Sequence, residues 1–175
     1  MQRDIIYVGR KIQVVVDTET GRDGLTICRD IVLHPGAVAI LPIVDQEHIC
    51  LVRNVRPTIG ETLLEIPAGT LEPGEEPERA AARELAEETG YRAGRWTRLA
   101  EIIPSPGILS EKIHLFVAEN LSPGEMKLEY DEDLKPERVA LSQALTWALD
   151  GTIRDAKTLV ALLLWKQRHR DFTNP

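Results

Sequence analysis

The chain has 175 residues, 43% of them hydrophobic and 28% charged, with a formal net charge of −7. That length accommodates one domain with a core of its own, and no apolar run reaches the roughly 18 residues that a membrane helix needs. The acidic balance, with no basic face along the chain, argues against a nucleic-acid binder.

From the N-terminus, MQRDIIYVGRKIQVVV (1–16) has no basic stretch followed by an apolar one and a small-residue cleavage site, so no export signal is expected. Short β-branched runs bounded by turns predict strands at Lys11–Val16, Thr26–Leu33, Ala37–Ile43 and His48–Val55. TGRDG (20–24) predicts a hairpin turn, and HPG (34–36) a break. Cys28 and Cys50 lie in these apolar contexts without metal-ligand spacing and are expected to be buried thiols. Together these features predict a cytoplasmic protein. LLEIPA (63–68) reads as an apolar strand. The period then changes: Pro77 suits a first helical turn, Gly90 suits a residue just past a helix end, and the segment between is rich in Ala, Glu, Arg and Leu. Strands are expected at Trp96–Ile102 and Lys112–Glu119, with a bend at SPG (105–107). LEYDEDLKPER (128–138) reads as a polar loop. Two helices close the chain, one capped by Ser142 and ending at Asp150–Gly151, the other capped by Asp155. The expected fold class is α+β, mixed sheets with helices packed on them.

GTLEPGEEPERAAARELAEETGY (69–91) holds seven glutamates. Glu84 and Glu88 share a helix face at i and i+4, with Glu87 to one side; like charges so placed repel by roughly 0.2–0.5 kcal/mol per pair. Arg83 is i, i+4 from Glu87 and can pair with it, and Glu75 in the preceding loop can fold back toward the helix. One reading is a solvated face with Glu–Arg pairs. The other is a cluster of hard oxygen ligands suited to Mg²⁺ or Mn²⁺, with neither His nor Cys to suggest zinc.

The spacing favours the second reading. Gly69, Glu75, Arg83, Glu84, Leu85, Glu87, Glu88 and Gly90 fill eight of the nine specified positions of the Nudix box, and the segment resembles that signature. The departure is Tyr91, where the pattern has an aliphatic residue. The resemblance implies an α/β/α-layered Nudix fold and an enzyme that cleaves a nucleoside diphosphate linked to another moiety. It implies a metal held by Glu84 and Glu88, with Glu87, Glu75 and the backbone oxygen of Ala68 as further ligands or supports, and a role for Arg83 in the catalytic cluster. Bridging divalent cations would make an anionic diphosphate tolerable in a carboxylate-lined site.

The flanks resemble the ADP-ribose pyrophosphatase branch. LEIPAGTLEPGE (64–75), SPGILSEKIHLFVAENL (105–121), RNVRP (53–57) and GTIRDAKTLVALLLW (151–165) carry that likeness, and Pro106 stands 16 residues after Gly90. The implied substrate-binding residues are Arg56, Glu65, Glu111 and Pro106. The implied general base is a carboxylate of the 129–133 loop, Glu132 by preference, with Glu129, Asp131 and Asp133 as alternatives. The expected division is an N-terminal strand region, 1–36, that forms a homodimer, and a Nudix domain, 37–175. Hydrolysis of another nucleotide sugar such as GDP-mannose, and a non-catalytic nucleotide-binding module, are the alternatives. This box keeps all of its carboxylates, which counts against the module.

Overall fold

The computed structural model describes residues 1–128 and 133–170. The N-terminal sheet is an antiparallel meander of β1 (Gln2–Val8), β2 (Gln13–Thr20) and β3 (Thr26–Leu33). Strand β1 is not legible as a strand because every one of its residues is exposed, so no face of it carries a core pattern. Its register with β2 is set in part by Arg3, which grips Asp17 through Nε and Nη2 at 2.6 and 2.7 Å. Cys28 on β3 is exposed, contrary to expectation, because this sheet keeps a solvent face; Cys50 is buried as expected.

A four-stranded sheet has the order β7-β4-β9-β8 and a three-stranded sheet the order β10-β5-β6. Strand β4 (Ala37–Pro42) is buried at all six positions and runs parallel to β9 (Ile113–Pro123), as a continuous apolar run requires. Strand β8 (Tyr91–Ile102) pairs antiparallel with β9. The expected 63–68 strand is divided in two. Strand β6 (Glu61–Glu65) pairs with β5 (His48–Arg56), and β7 (Ala68–Thr70) pairs with β4. The chain changes sheets at Ile66–Pro67, where proline has no N–H to continue a ladder.

The loop expected over 128–138 is corrected. Residues Leu134–Ala140 form β10, antiparallel to β5 in unbroken register from Leu134 opposite Asn54 to Ala140 opposite His48. Its polar composition hid it: only Leu134 and Val139 are buried, and Arg53–Glu137 crosses the pair at 2.6 Å on the open face.

Helix α1 (Pro77–Thr89) begins on Pro77 and ends at Gly90, which takes φ +72° and donates its N–H to Ala86 O at 3.0 Å. Helix α2 (Leu141–Asp150) follows β10 with no loop between them. Ala140, not Ser142, holds the N-cap position, so the expected serine cap lies inside the first turn. Helix α3 (Ala156–Arg170) is capped as expected: Thr158 N–H donates to Asp155 Oδ2 at 3.0 Å.

Alternation along β4 feeds two cores. Val38 and Ile40 pack with Ala80, Ala81 and Leu85 of α1 and with Phe116 and Ala118. Ala39 and Leu41 face Ile49, Leu51, Ile66, Leu115 and Leu162, with residues of α2 and α3 closing that side. Helices thus cover both sides of the paired sheets, and α1 lies directly beside β7.

Candidate active site

The carboxylate cluster is built where α1 meets β7. Backbone pairing of Val38 with Gly69 and Ala39 with Ala68 fixes that short strand. Small residues, Ala80 and Ala81, let the helix approach it. The approach is so close that a Cβ on Gly69 would lie 1.8 Å from Glu84 Oε1 and 1.9 Å from its carboxyl carbon. Glu88, one turn on, is buried, and its Oε2 accepts the Ala68 N–H at 3.1 Å. Glu84 and Glu88 therefore both turn inward onto β7, as their i, i+4 spacing predicts.

Arg83 ties the rest of the cluster together. Its Nε and Nη2 donate to the two oxygens of Glu75 at 3.0 Å each, and Nη1 donates to Glu84 Oε1 at 2.7 Å and Glu87 Oε2 at 3.0 Å. Nη2 also reaches the carbonyl of Thr70 at 3.4 Å. The hydrogen bond from Arg83 holds the Glu75 carboxyl below its ordinary value, and the same bond raises the Arg83 guanidinium above its own. Glu75 also accepts the Glu72 N–H at 3.1 Å, which closes the loop before the helix. The guanidinium stands among Glu75, Glu84 and Glu87, and among the described residues no three His, Cys, Asp or Glu side chains form a ready metal-binding group. The donors themselves are carboxylate and backbone oxygens, the chemistry that Mg²⁺ and Mn²⁺ favour. Burying two carboxylates one turn apart is costly unless cations share the site. The residues present fit a hard divalent cation.

Glu84, Glu88 and Ala68 line a cleft of about 1350 Å³ that also takes in Arg56, Glu111 and Lys157. At Arg56 the cleft is donor-rich. Arg56 Nε and Nη2 grip Glu65 Oε1 and Oε2 at 2.7 and 2.5 Å, and Lys157 Nζ donates to Glu65 Oε2 at 2.6 Å and Asp155 Oδ1 at 2.9 Å. Glu65 is only 1% exposed and lies behind these two cations. Burial pushes its carboxyl up, but the Arg56 hydrogen bond and the Lys157 charge outweigh that and leave it below the ordinary carboxylate value. The Arg56 guanidinium is raised, first by its bond to Glu65, and it also feels the charges of Asp155 and Glu88.

Glu111 lines the cleft with its Oε1 3.6 Å from His34 Nδ1. Pro106 lies in an exposed turn outside the lining. That turn is pinned to the end of β3, where Val32 N–H donates to Ile108 O at 2.8 Å and Ser110 N–H to Val32 O at 2.9 Å. Glu132, Glu129 and Asp131 fall outside the described residues. Asp133, next in the chain, lines the cleft, and its carbonyl accepts the Val55 N–H at 3.1 Å. Lys157 and His34 were not singled out by sequence reasoning, and Asp155 only as a helix cap. The available signals were a helix cap followed by Lys at the start of an apolar helix, and a His before a Pro-Gly break.

A NUDIX domain family model matches residues 33–162. An ADP-ribose pyrophosphatase of Bacillus subtilis (strain 168) is 42% identical over 162 residues, covering 91% of this chain and 88% of the relative. A methanol dehydrogenase activator of Bacillus methanolicus is 40% identical, covering 90% and 86%. A GDP-mannose pyrophosphatase of Citrobacter koseri (strain ATCC BAA-895 / CDC 4225-83 / SGSC4696) is 34% identical, covering 73% and 71%. A crystal structure of an ADP compounds hydrolase superposes with a TM-score of 0.86 at 26% identity, covering 99% of this chain and 94% of that one. With its box helix seated on β7 and a family match that takes in Arg56, Ala68, Glu84, Glu88, Glu111 and Lys157 of the cleft, the chain belongs to the Nudix hydrolase family.

Proposed function

We propose that the protein hydrolyses the diphosphate of ADP-ribose to AMP and ribose 5-phosphate with Mg²⁺ or Mn²⁺. The observation that carries this reading is the inward-turned pair Glu84 and Glu88 on β7, sharing one cleft with an Arg56 locked by Glu65. Likeness to an ADP-ribose pyrophosphatase over nine-tenths of the chain supports the choice of substrate.

Glu84, Glu88 and Glu87, with the backbone oxygen of Ala68, would hold the cation. When bound, it neutralises diphosphate charge, polarises phosphorus and lowers the pKa of the attacking water. Arg83 keeps Glu84 and Glu87 oriented and offsets their repulsion. Arg56 spends Nε and Nη2 on Glu65, which leaves Nη1 to donate to the ligand. A carboxylate of the 129–133 loop, Glu132 by preference, takes the proton of the attacking water. The anchoring of Asp133, the last residue of that loop, beside Val55 at the cleft wall supports this. Glu111 supports water or substrate positioning from the same cleft.

The protein is proposed to act as a cytoplasmic homodimer joined through its N-terminal strands. The exposed apolar run Ile5, Ile6, Tyr7 and Val8 on β1 supports the pairing, because an open edge strand of that composition favours a covering partner. No helix among the described residues is long and apolar enough to cross a membrane.

A second reading, hydrolysis of GDP-mannose, is favoured by relatives of that name at 34% identity. A panel of ADP-ribose, ADP-glucose, GDP-mannose and NADH with Mg²⁺, read as released AMP, GMP and sugar phosphate, separates the two. Fast AMP release from ADP-ribose, abolished by chelator, is expected; preferential GMP release from GDP-mannose would move the assignment.

A further inference from the structure

Glu65 is contacted by two cations. Arg56 already engages both of its oxygens in a bidentate pair, yet Lys157 reaches the same carboxylate from α3 at 2.6 Å. Asp155, the second partner of Lys157, is likewise occupied: its Oδ2 accepts both the N–H and the hydroxyl of Thr158, at 3.0 and 2.5 Å. Glu65 already has a bidentate partner in Arg56 and Asp155 already caps α3 through Thr158, so neither the pairing of the one nor the capping by the other depends on the lysine. What the two contacts do accomplish is to hold the ammonium at one place. The Lys157 side chain is 11% exposed but still lines the cleft beside Arg56. An ammonium has three N–H donors. Among the described residues, Lys157 spends two, one on Glu65 and one on Asp155. With two cations set against two carboxylates, this wall is neutral as a whole and rich in directed donors.

We infer that Lys157 is a substrate-binding residue, which donates its remaining N–H to an oxygen of the nucleotide sugar. Glu65 is the positioning residue that holds Lys157 and Arg56 in register. This rests on the reading of the cleft as a nucleotide-sugar site. The acceptor is a sugar hydroxyl or a phosphate oxygen, which share the chemistry of an oxygen lone pair facing an ammonium.

The test compares wild type with Lys157→Met on whichever nucleotide sugar of the panel wild type hydrolyses best, so a wrong choice of substrate does not sink the inference. The expected result is a KM raised about tenfold or more with kcat within about twofold. A salt series separates the acceptors: loss of salt dependence of KM in the variant identifies a phosphate oxygen, and unchanged dependence a sugar hydroxyl. A second measurement needs no variant. Wild type in chelator, with and without the same nucleotide sugar, is labelled by reductive methylation and read by peptide mass. Ligand protection of Lys157 is expected, and it decides the matter if Lys157→Met fails to fold. An unchanged KM, or a raised KM without protection in wild type, overturns the contact.

Discussion

The carboxylate of Glu84 occupies the space in which a side chain at Gly69 would begin, with Oε1 1.8 Å from the position of that Cβ. The glycine of the box is thus required by close approach of helix to strand. Gly69→Ala must push Glu84 off β7 or lift the helix. A misplacement near 1 Å costs about a hundredfold in rate. Steady-state kinetics should show that loss in kcat, with thermal unfolding still cooperative.

Arg83 is expected to be more than a charge balance. Arg83→Gln leaves Glu75 without its bidentate partner and Glu84 and Glu87 without a shared donor. The guanidinium is a quarter exposed, so the loss of stability should be about 1–3 kcal/mol rather than that of a fully buried pair. Urea denaturation monitored by far-UV dichroism measures it.

The same network dictates a pH dependence. Glu75 and Glu65 are both held below the ordinary value of 4.5 in the folded protein. A depressed carboxyl contributes its stability in full above the unfolded value and loses it as pH falls through the folded one. Stability due to these two groups should therefore hold from neutral pH down to about 5 and decline below it. Unfolding free energies at a series of acid pH values check this. In Arg83→Gln the decline should be shallower, because Glu75 then titrates nearer its ordinary value.

The exposed face of β1 yields a prediction about assembly. Ile6→Asp places a charge in the run Ile5–Val8, which the proposed dimer would bury. Light scattering should give twice the 19.6 kDa chain mass for wild type and the single mass for the variant. A wild-type monomer would remove the dimer.

The helix of the cluster was legible to the residue, because Pro77 and Gly90 mark its ends chemically and the box spacing marks its function. Strands with one or two buried faces, such as β4, were legible through their apolar runs. Strand β1 was not, since exposure of all seven residues leaves no periodic signal. Strand β10 was hidden by Lys135, Glu137 and Arg138, whose place in the sheet is set by pairing with β5 rather than by local composition. The division of 63–68 between two sheets depends on tertiary pairing that no local pattern encodes, although Pro67 marks the point of transfer. In the site, local spacing revealed Glu84 and Glu88. Lys157 reaches Glu65 across 92 residues of sequence, and such a contact leaves no trace in either segment alone.

The central claim is that Glu84 and Glu88, turned onto β7, form the cation site of diphosphate hydrolysis. Glu88→Gln tests it most directly, since the amide keeps an oxygen for the Ala68 N–H but removes the charge. Measured with ADP-ribose and Mg²⁺, turnover should fall about a hundredfold or more while the melting temperature stays near that of wild type. Wild-type turnover in the folded variant would contradict the assignment.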